Sequence, residues 1–295
     1  MKKYLKLLRV EQWVKNLFVF VPLFFSGNIK NLDLLSKSIF AFVIFSLAAS
    51  VVYILNDYND IDADRKHPEK CRRPLASGAI KKPTAISILI SLMILDIVLI
   101  FYAQYLSDES LWKFASVIAV YFLMNLAYTF KLKHVAIIDI FIIATGFVLR
   151  VLAGGYITGI NISQWAQLLT FVLALVLAIG KRRGELINAQ VSGKTRRSLD
   201  GYNVQFADIT LSISVTLAIV CYLMFTLSPE VQARFHERVF FTVIFVVFAF
   251  LRYLQQTLVY NRTESPTKIF YRDRYIQITL VLWVVAFLIQ IYFKK

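Results

Sequence analysis

Residues 56–74 read NDYNDIDADRKHPEKCRRP and hold five carboxylates, five Lys or Arg side chains and one histidine. This charge follows directly on the apolar run Ser38–Leu55. If residues 56–64 continue that run as one helix, at about 100° per residue, then Asp57, Asp60 and Asp64 share a face within an arc of about 60°. Asp62 falls on the other side, towards water or a basic neighbour. Three close carboxylates repel one another unless a cation or a proton joins them. Hard oxygen ligands select Mg2+ or Ca2+ over softer metals, and Mg2+ characteristically takes one or two carboxylates plus phosphate oxygens of a substrate. The basic run Arg65–Arg73 supplies the counter-charge a phosphate wants. Metal-assisted handling of a phosphorylated substrate is therefore the chemistry expected of Asn56, Asp57, Asp60 and Asp64. The plainer reading is a solvated helix end whose charges cancel in salt bridges.

Three further polar segments carry similar residues. YTFKLKH (128–134) contains Tyr128, Lys131 and Lys133, and Asp139 follows in the next apolar run. A carboxylate costs about 2.5–3.5 kcal/mol at the centre of a membrane span and less near its end. Asp139 is thus either a site residue or the partner of a neighbouring helix. Arg150 shares its face, about 16 Å deeper, and must snorkel outward or pair with a buried acid. KRRGEL (181–186) sets Lys181, Arg182 and Arg183 beside Glu185, and Lys194, Arg196 and Arg197 lead on to Asp200, Gly201 and Tyr202. Cations at a helix C-terminus are favoured in any case, and the functional reading is a clamp on an anionic group. The segment NRTESPTKIFYRDR (261–274) mixes both signs with no evident chemistry. His67 stands alone in the acidic loop. No Cys/His cluster, Ser-His-Asp arrangement or Gly-rich phosphate loop is evident. Cys71 and Cys221 suit neither a metal site nor a disulfide framework.

These segments need a scaffold, and the composition names it. Of 295 residues 58% are hydrophobic and only 17% charged, against about 25% charged in soluble domains. The fold class expected is all-α, a polytopic membrane protein with nine transmembrane helices near 15–31, 37–56, 84–105, 111–130, 135–158, 164–181, 207–227, 237–257 and 275–293. Pro22 is expected to kink the first span, and Gly146, Gly154 and Gly155 to allow close helix contact in the fifth. Residues 1–14 read as an interfacial amphipathic segment rather than a cleaved signal. With the N-terminus inside, 24 of the 33 Lys and Arg side chains fall in cytoplasmic segments and 7 outside. That asymmetry predicts an N-in, C-out orientation. The net charge of +15 then reflects topology and anionic lipid or substrate, not nucleic acid. The whole chain 1–295 is expected to form one transmembrane domain, with active-site loops at 57–83 and 181–206 on the cytoplasmic side of a cytoplasmic (inner) membrane.

The acidic segment Asn56-Asp57-x-x-Asp60-x-x-x-Asp64 after a long apolar helix resembles the first aspartate-rich motif of the UbiA superfamily of intramembrane transferases. Further segments narrow the likeness: Arg9-x-x-Gln12-Trp13-x-Lys15-Asn16, HPEKCRRPLASG (67–78), LKHVAIIDIF (132–141), GKRRGEL (180–186), RRSLDGY (196–202), LRYLQQ and ESPTKIFYRDR. Together they resemble the decaprenyl-phosphate phosphoribosyltransferase branch over nearly the whole chain. The resemblance implies a UbiA-like bundle, use of Mg2+ and a site open to the cytoplasm. It also implies transfer of 5-phosphoribose from phosphoribosyl diphosphate to a polyprenyl phosphate of decaprenyl type, in cell-envelope biosynthesis, by a chain that forms homotrimers. Asp57, Asp60 and Asp64 would bind the metal, assisted by Asn56. Lys66, Arg72, Arg73, Lys131, Lys133, Lys181 and Arg182 are candidates for phosphate contacts, and Glu185, Tyr128 and Tyr202 for orienting ribose hydroxyls. Lys15, Lys70 and Asp139 complete the substrate-binding set. Ordinary prenyltransferases of the superfamily carry a second aspartate-rich motif where this chain has KRRGEL. One acidic motif suits one Mg-diphosphate, and the basic patch suits a further phosphate. The alternative is a UbiA-type prenyltransferase that moves a prenyl group from a prenyl diphosphate to an aromatic or other acceptor. A transporter without chemistry fits less well, because its charges would gather near the bilayer midplane.

Overall fold

A computed structural model describes residues 2–106, 111–192, 199–235, 237–261 and 272–292. Lys194, Arg196, Arg197 and most of the 261–274 segment lie outside the described residues. All secondary structure among the described residues is helical. In chain order the α-helices are α1 (Lys2–Leu7), α2 (Val21–Phe25), α3 (Leu32–Asn59), α4 (Ile61–Arg65), α5 (Lys82–Leu106), α6 (Trp112–Phe130), α7 (Ile138–Thr158), α8 (Gln164–Ser192), α9 (Val204–Leu227), α10 (Pro229–Phe235), α11 (Val243–Leu254) and α12 (Arg274–Tyr292). Seven segments among the described residues are long and apolar enough to cross a membrane: α3, α5, α6, α7, α8, α9 and Glu237–Val259.

The chain divides into two compact units, residues 1–133 with 149–161, and residues 134–148 with 162–295. In the first unit α3 is the central element. Asn31 caps its start by accepting from the Asp33 and Leu34 N–H groups at 3.0 and 3.2 Å, which satisfies donors a helix leaves open. Its buried face is rich in small residues, Ala41, Ser46, Ala48, Ala49 and Ser50, beside Ile44 and Phe45. Small side chains let another backbone approach closely, and here the preceding segment does so. Trp13 Nε1 donates to Ser50 Oγ at 3.0 Å, Asn16 Nδ2 to Ser46 Oγ at 2.9 Å, and Ser50 Oγ to the Leu8 carbonyl at 2.8 Å. By contrast α5 leaves Ile90, Ile94, Val98, Phe101 and Tyr105 exposed, as expected of a lipid-facing surface.

The first expected span departs from a kinked α-helix. Val10–Phe20 is a 3-10 helix, and only Val21–Phe25, with Pro22 in its first turn, is α-helical. A 3-10 helix rises about 2.0 Å per residue. Eleven such residues plus five α-helical ones extend about 30 Å, the thickness of a hydrocarbon core. The tighter coil therefore stretches a short sequence to spanning length. Gly154 of α7 receives it: a Cβ there would stand 1.9 Å from the Val19 carbonyl oxygen.

In the second unit α8 and α9 pack along one another, and α11 packs on α12. Val176, Ile179, Ala207, Leu211, Val215, Tyr253 and Ile276 form its core. Asn203 Oδ1 caps α9 by accepting from Phe206 N–H at 2.7 Å, which places Tyr202 just ahead of the helix.

Because the Val19 backbone cannot retreat without breaking the 3-10 segment's bonds to α3, Gly154→Ala should destabilise by about 1–3 kcal/mol. Its thermal midpoint in detergent should fall clearly below that of the unaltered chain. An unchanged midpoint would mean that the 3-10 segment is not seated on Gly154.

Candidate active site

The acidic segment closes α3, but not as one continuous helix. The helix ends at Asn59; Asp60 has φ −100° and ψ 10°, and α4 begins at Ile61. Asp60 N–H still donates to the Asn56 carbonyl at 3.0 Å, and Asp64 N–H to the Asp60 carbonyl at 2.8 Å. The break is therefore one residue of turn, and Asp57 and Asp64 both point into the unit. Asp57 is 2% exposed and Asp64 4% exposed, whereas the Asp62 side chain is 91% exposed beside Arg65.

The three inward carboxylates do not converge on one point, as the sequence had led us to expect. Each instead holds a cation. Asp57 receives Arg9 on both oxygens, with Nε to Oδ2 at 3.3 Å. Arg73 Nη1 bridges Asp57 Oδ1 at 3.1 Å and Asp64 Oδ2 at 2.6 Å. The buried Lys133 binds Asp60 Oδ1. Three acids and three bases thus cancel, which is what a low-dielectric environment requires of buried charge. Arg9 was absent from the sequence-based set. Its only signal there was the Arg9-x-x-Gln12-Trp13 pattern, and its partner lies 48 residues away.

Among the described residues no group of three or more His, Cys, Asp or Glu side chains is gathered to hold a metal ion. The donor chemistry nevertheless fits Mg2+. Asp57 and Asp64 are close enough for one guanidinium nitrogen to touch both, so a small cation can occupy that position. Asn56 Oδ1, one residue before Asp57, is buried with no hydrogen-bond partner, an open oxygen acceptor of the kind Mg2+ takes.

The remaining candidates of this unit lie nearby in sequence and differ in exposure. Lys66, Arg72 and Lys131 are exposed, while Lys15, Lys70 and Tyr128 are half-buried. His67 Nδ1 accepts from the Glu69 and Lys70 N–H groups at 3.2 and 3.4 Å. Burial and the adjacent Lys70 hold its imidazole below the usual range. It therefore builds the loop turn as a neutral acceptor. Arg150 does not snorkel outward but is buried. Its Nε donates to Asn16 Oδ1 at 2.7 Å and its Nη2 to Tyr121 Oη at 3.3 Å.

The second unit holds its own polar cluster. Asp139 is fully buried and accepts from Arg182 Nε at 2.8 Å and from Tyr202 Oη at 2.8 Å. Tyr202 Oη accepts in turn from the Ile137 N–H at 2.7 Å. Ile137 has φ +70°, a conformation that costs a β-branched residue of order 1–3 kcal/mol, so the Tyr202 bond fixes a strained turn. Burial and the Asp139 carboxylate push the Tyr202 phenol well above its usual range, so it stays protonated. Arg182 also pairs with Glu185. This changes the expected clamp: Arg182 is neutralised by two carboxylates, and Glu185 is a partner of Arg182. Lys181 is 57% exposed, 4.0 Å from Glu185. Arg183 is buried against Asp208 and donates to the Thr257 carbonyl at 2.8 Å and Asn261 Oδ1 at 3.0 Å.

Comparison with known proteins agrees with this picture. The profile of the UbiA prenyltransferase family matches residues 17–283. A protein of Mycolicibacterium smegmatis named decaprenyl-phosphate phosphoribosyltransferase is 34% identical, covering 98% of this chain and 92% of its own. A protein of the same name from Mycobacterium tuberculosis is 33% identical, over 95% and 91% respectively. Among solved structures, a UbiA homologue from Archaeoglobus fulgidus bound to GPP and Mg2+ superposes with a TM-score of 0.68 at 18% identity, covering 98% of this chain and 99% of that one. Apolar helices of spanning length, an acidic segment at the end of one of them and a family match over most of the chain converge: this multi-pass membrane protein belongs to the UbiA prenyltransferase family and is a transferase.

Proposed function

We propose that the protein transfers 5-phosphoribose from phosphoribosyl diphosphate to a polyprenyl phosphate of decaprenyl type and releases diphosphate. The observation that carries this reading is the balanced cluster at the end of α3, where Asp57, Asp60 and Asp64 face Arg9, Arg73 and Lys133. Carboxylates that can hold a metal and cations that can hold phosphate oxygens are there in equal number. The names of the M. smegmatis and M. tuberculosis relatives support the same donor and acceptor classes.

Asp57 and Asp64, with Asn56 Oδ1, would hold Mg2+, which when bound neutralises a diphosphate leaving group, and Asp60, held by Lys133, would join them once that lysine is released. Arg73 and Lys133 turn from carboxylates to phosphate oxygens as substrate arrives, so no positive charge is buried unpaired at any stage. The bond between ribose C1 and the diphosphate oxygen breaks with oxocarbenium character at C1. An oxygen of the lipid phosphate then bonds to C1. That oxygen is already anionic, so the site needs no strong general base, in keeping with the neutral turn-building His67. Lys66, Lys70, Arg72 and Lys131 line the approach for phosphate. In the second unit Asp139 and Glu185 position Arg182, and Lys181 and Tyr202 complete the polar cluster.

The chain crosses the membrane nine times in this reading. The seven long apolar segments are joined by the 3-10 segment with α2, of about 30 Å, and by α12, whose 19 residues reach about 28 Å. The surplus of Lys and Arg in the loops sets the N-terminus and the acidic segment in the cytoplasm of a cell with an inner membrane.

Two measurements test this. Purified protein given Mg2+, polyprenyl phosphate and radiolabelled phosphoribosyl diphosphate should yield labelled lipid. Asp57→Asn and Asp64→Asn should each lower kcat/KM by about 100-fold or more, and the outward-facing Asp62→Asn should stay within about threefold. Absence of labelled lipid from a sample that consumes prenyl diphosphate would make the protein an ordinary prenyltransferase. For orientation, Cys71 lies partly exposed in the acidic loop and Cys221 is buried in α9. A membrane-impermeant maleimide should label Cys71 in inside-out vesicles and spare it in right-side-out ones; the reverse pattern would invert the topology.

A further inference from the structure

Five lysines of the first unit take no part in balancing the acidic segment. Lys2, Lys3 and Lys6 lie on α1 within an arc of about 100°. Lys81 precedes α5 and Lys82 begins it, and all five are exposed. The two groups are distant in sequence yet packed together. Lys3 Nζ donates to the Ala79 carbonyl at 3.3 Å, and Leu7 of α1 shares a buried apolar cluster with Ile80 and Ala85. Among the described residues none of the five forms an ion pair with a carboxylate. Lys82 meets an aromatic face instead, its ammonium 5.8 Å from the Tyr58 ring centroid.

What adjoins this basic patch identifies its ligand. Tyr4 and Leu5 are exposed among the lysines of α1, the pattern of a segment lying in a membrane interface. Beyond Lys82, Ile86, Ile90 and Ile94 follow at steps of about one turn, all exposed. Twelve residues of helix rise about 18 Å, roughly the depth of one leaflet. Unpaired cations thus continue directly into an apolar stripe of leaflet depth. A ligand that matches both parts has a phosphate at one end and acyl chains at the other. We propose that α1 and the start of α5 form a binding site for an acidic glycerophospholipid of the surrounding bilayer. Its phosphate lies among Lys3, Lys81 and Lys82, and its chains run along Ile86, Ile90 and Ile94. Lys2 and Lys6 add attraction that reaches about a Debye length. The site goes beyond the reaction proposed above and holds for either donor. It is separate from the carboxylate cluster, since its lysines are exposed whereas Asp57 and Asp64 are buried and hold Arg9 and Arg73. A lipid bound there ties α1 to α5 and so steadies Arg9, two residues beyond α1, on Asp57.

The test reads lipid binding and does not depend on turnover. Native mass spectrometry of the detergent-purified full chain is run with dioleoylphosphatidylglycerol and with dioleoylphosphatidylcholine. The glycerol lipid should bind about fivefold more tightly or better, and should raise the thermal midpoint. Lys3→Gln, Lys81→Gln and Lys82→Gln combined should weaken it about tenfold or more and abolish the preference, with binding of the choline lipid unchanged. Lys3→Arg, Lys81→Arg and Lys82→Arg combined should keep both affinity and preference. Lys30→Gln with Lys113→Gln removes two exposed cations elsewhere and should leave the glycerol lipid within about twofold. No preference in the unaltered chain, or full affinity in the triple Gln variant, overturns the site. An equal loss from the Lys30 and Lys113 pair also overturns it, because the attraction would then be diffuse charge. Displacement of the glycerol lipid by one equivalent of farnesyl phosphate would assign the lysines to a lipid substrate and likewise overturn the proposal.

Discussion

A carboxylate buried at the end of an apolar helix has to be balanced, and the balance at Asp57 organises the first unit. Its two cations come from opposite directions in the sequence. Arg9 draws the N-terminal segment onto α3, helped by its own left-handed backbone at φ 49°, and the serines of α3 then fasten that segment. Arg73 draws the loop after α4 back over the helix end and adds Asp64 to the same guanidinium. Lys133 does likewise for the end of α6 through Asp60, and Asn59 Nδ2 reaches the Thr129 carbonyl at 3.4 Å beside it. Removing one partner of such a set leaves a buried charge, at a cost of about 3–5 kcal/mol. The loops that carry the chemistry are therefore held by the groups that perform it.

The three adjacent cations of KRRGEL obey the same constraint with a different outcome. Successive helix residues point about 100° apart, so Lys181, Arg182 and Arg183 enter three environments. Lys181 faces solvent, Arg182 meets the buried Asp139, and Arg183 is locked to Asp208 and the Thr257 carbonyl. Only the first keeps a charge directed at water. A basic run that looks like one clamp in the sequence is thus one exposed cation and two that tie helices together. Arg183 ends beside the π-helical turn Gln255–Val259, and Arg252 and Gln256 bind Asp273 just beyond it. Arg252 and the local backbone N–H groups hold the Asp273 carboxyl below its usual range against the opposing effect of its burial.

Helix periodicity made much of this legible. It separated Asp62 from Asp57, Asp60 and Asp64, located the long apolar segments and marked Gly154 as a point of close approach. It could not supply the break at Asp60, which moves that carboxylate towards Lys133, nor the 3-10 coil of Val10–Phe20. Coil type here depends on what lies against the segment, namely small residues of α3 and Gly154. Pairings such as Arg9 with Asp57, or Tyr202 with Asp139 and Ile137, join residues 48 to 65 positions apart. They follow from packing rather than spacing. The residues themselves were visible as motif members, but their partners were not.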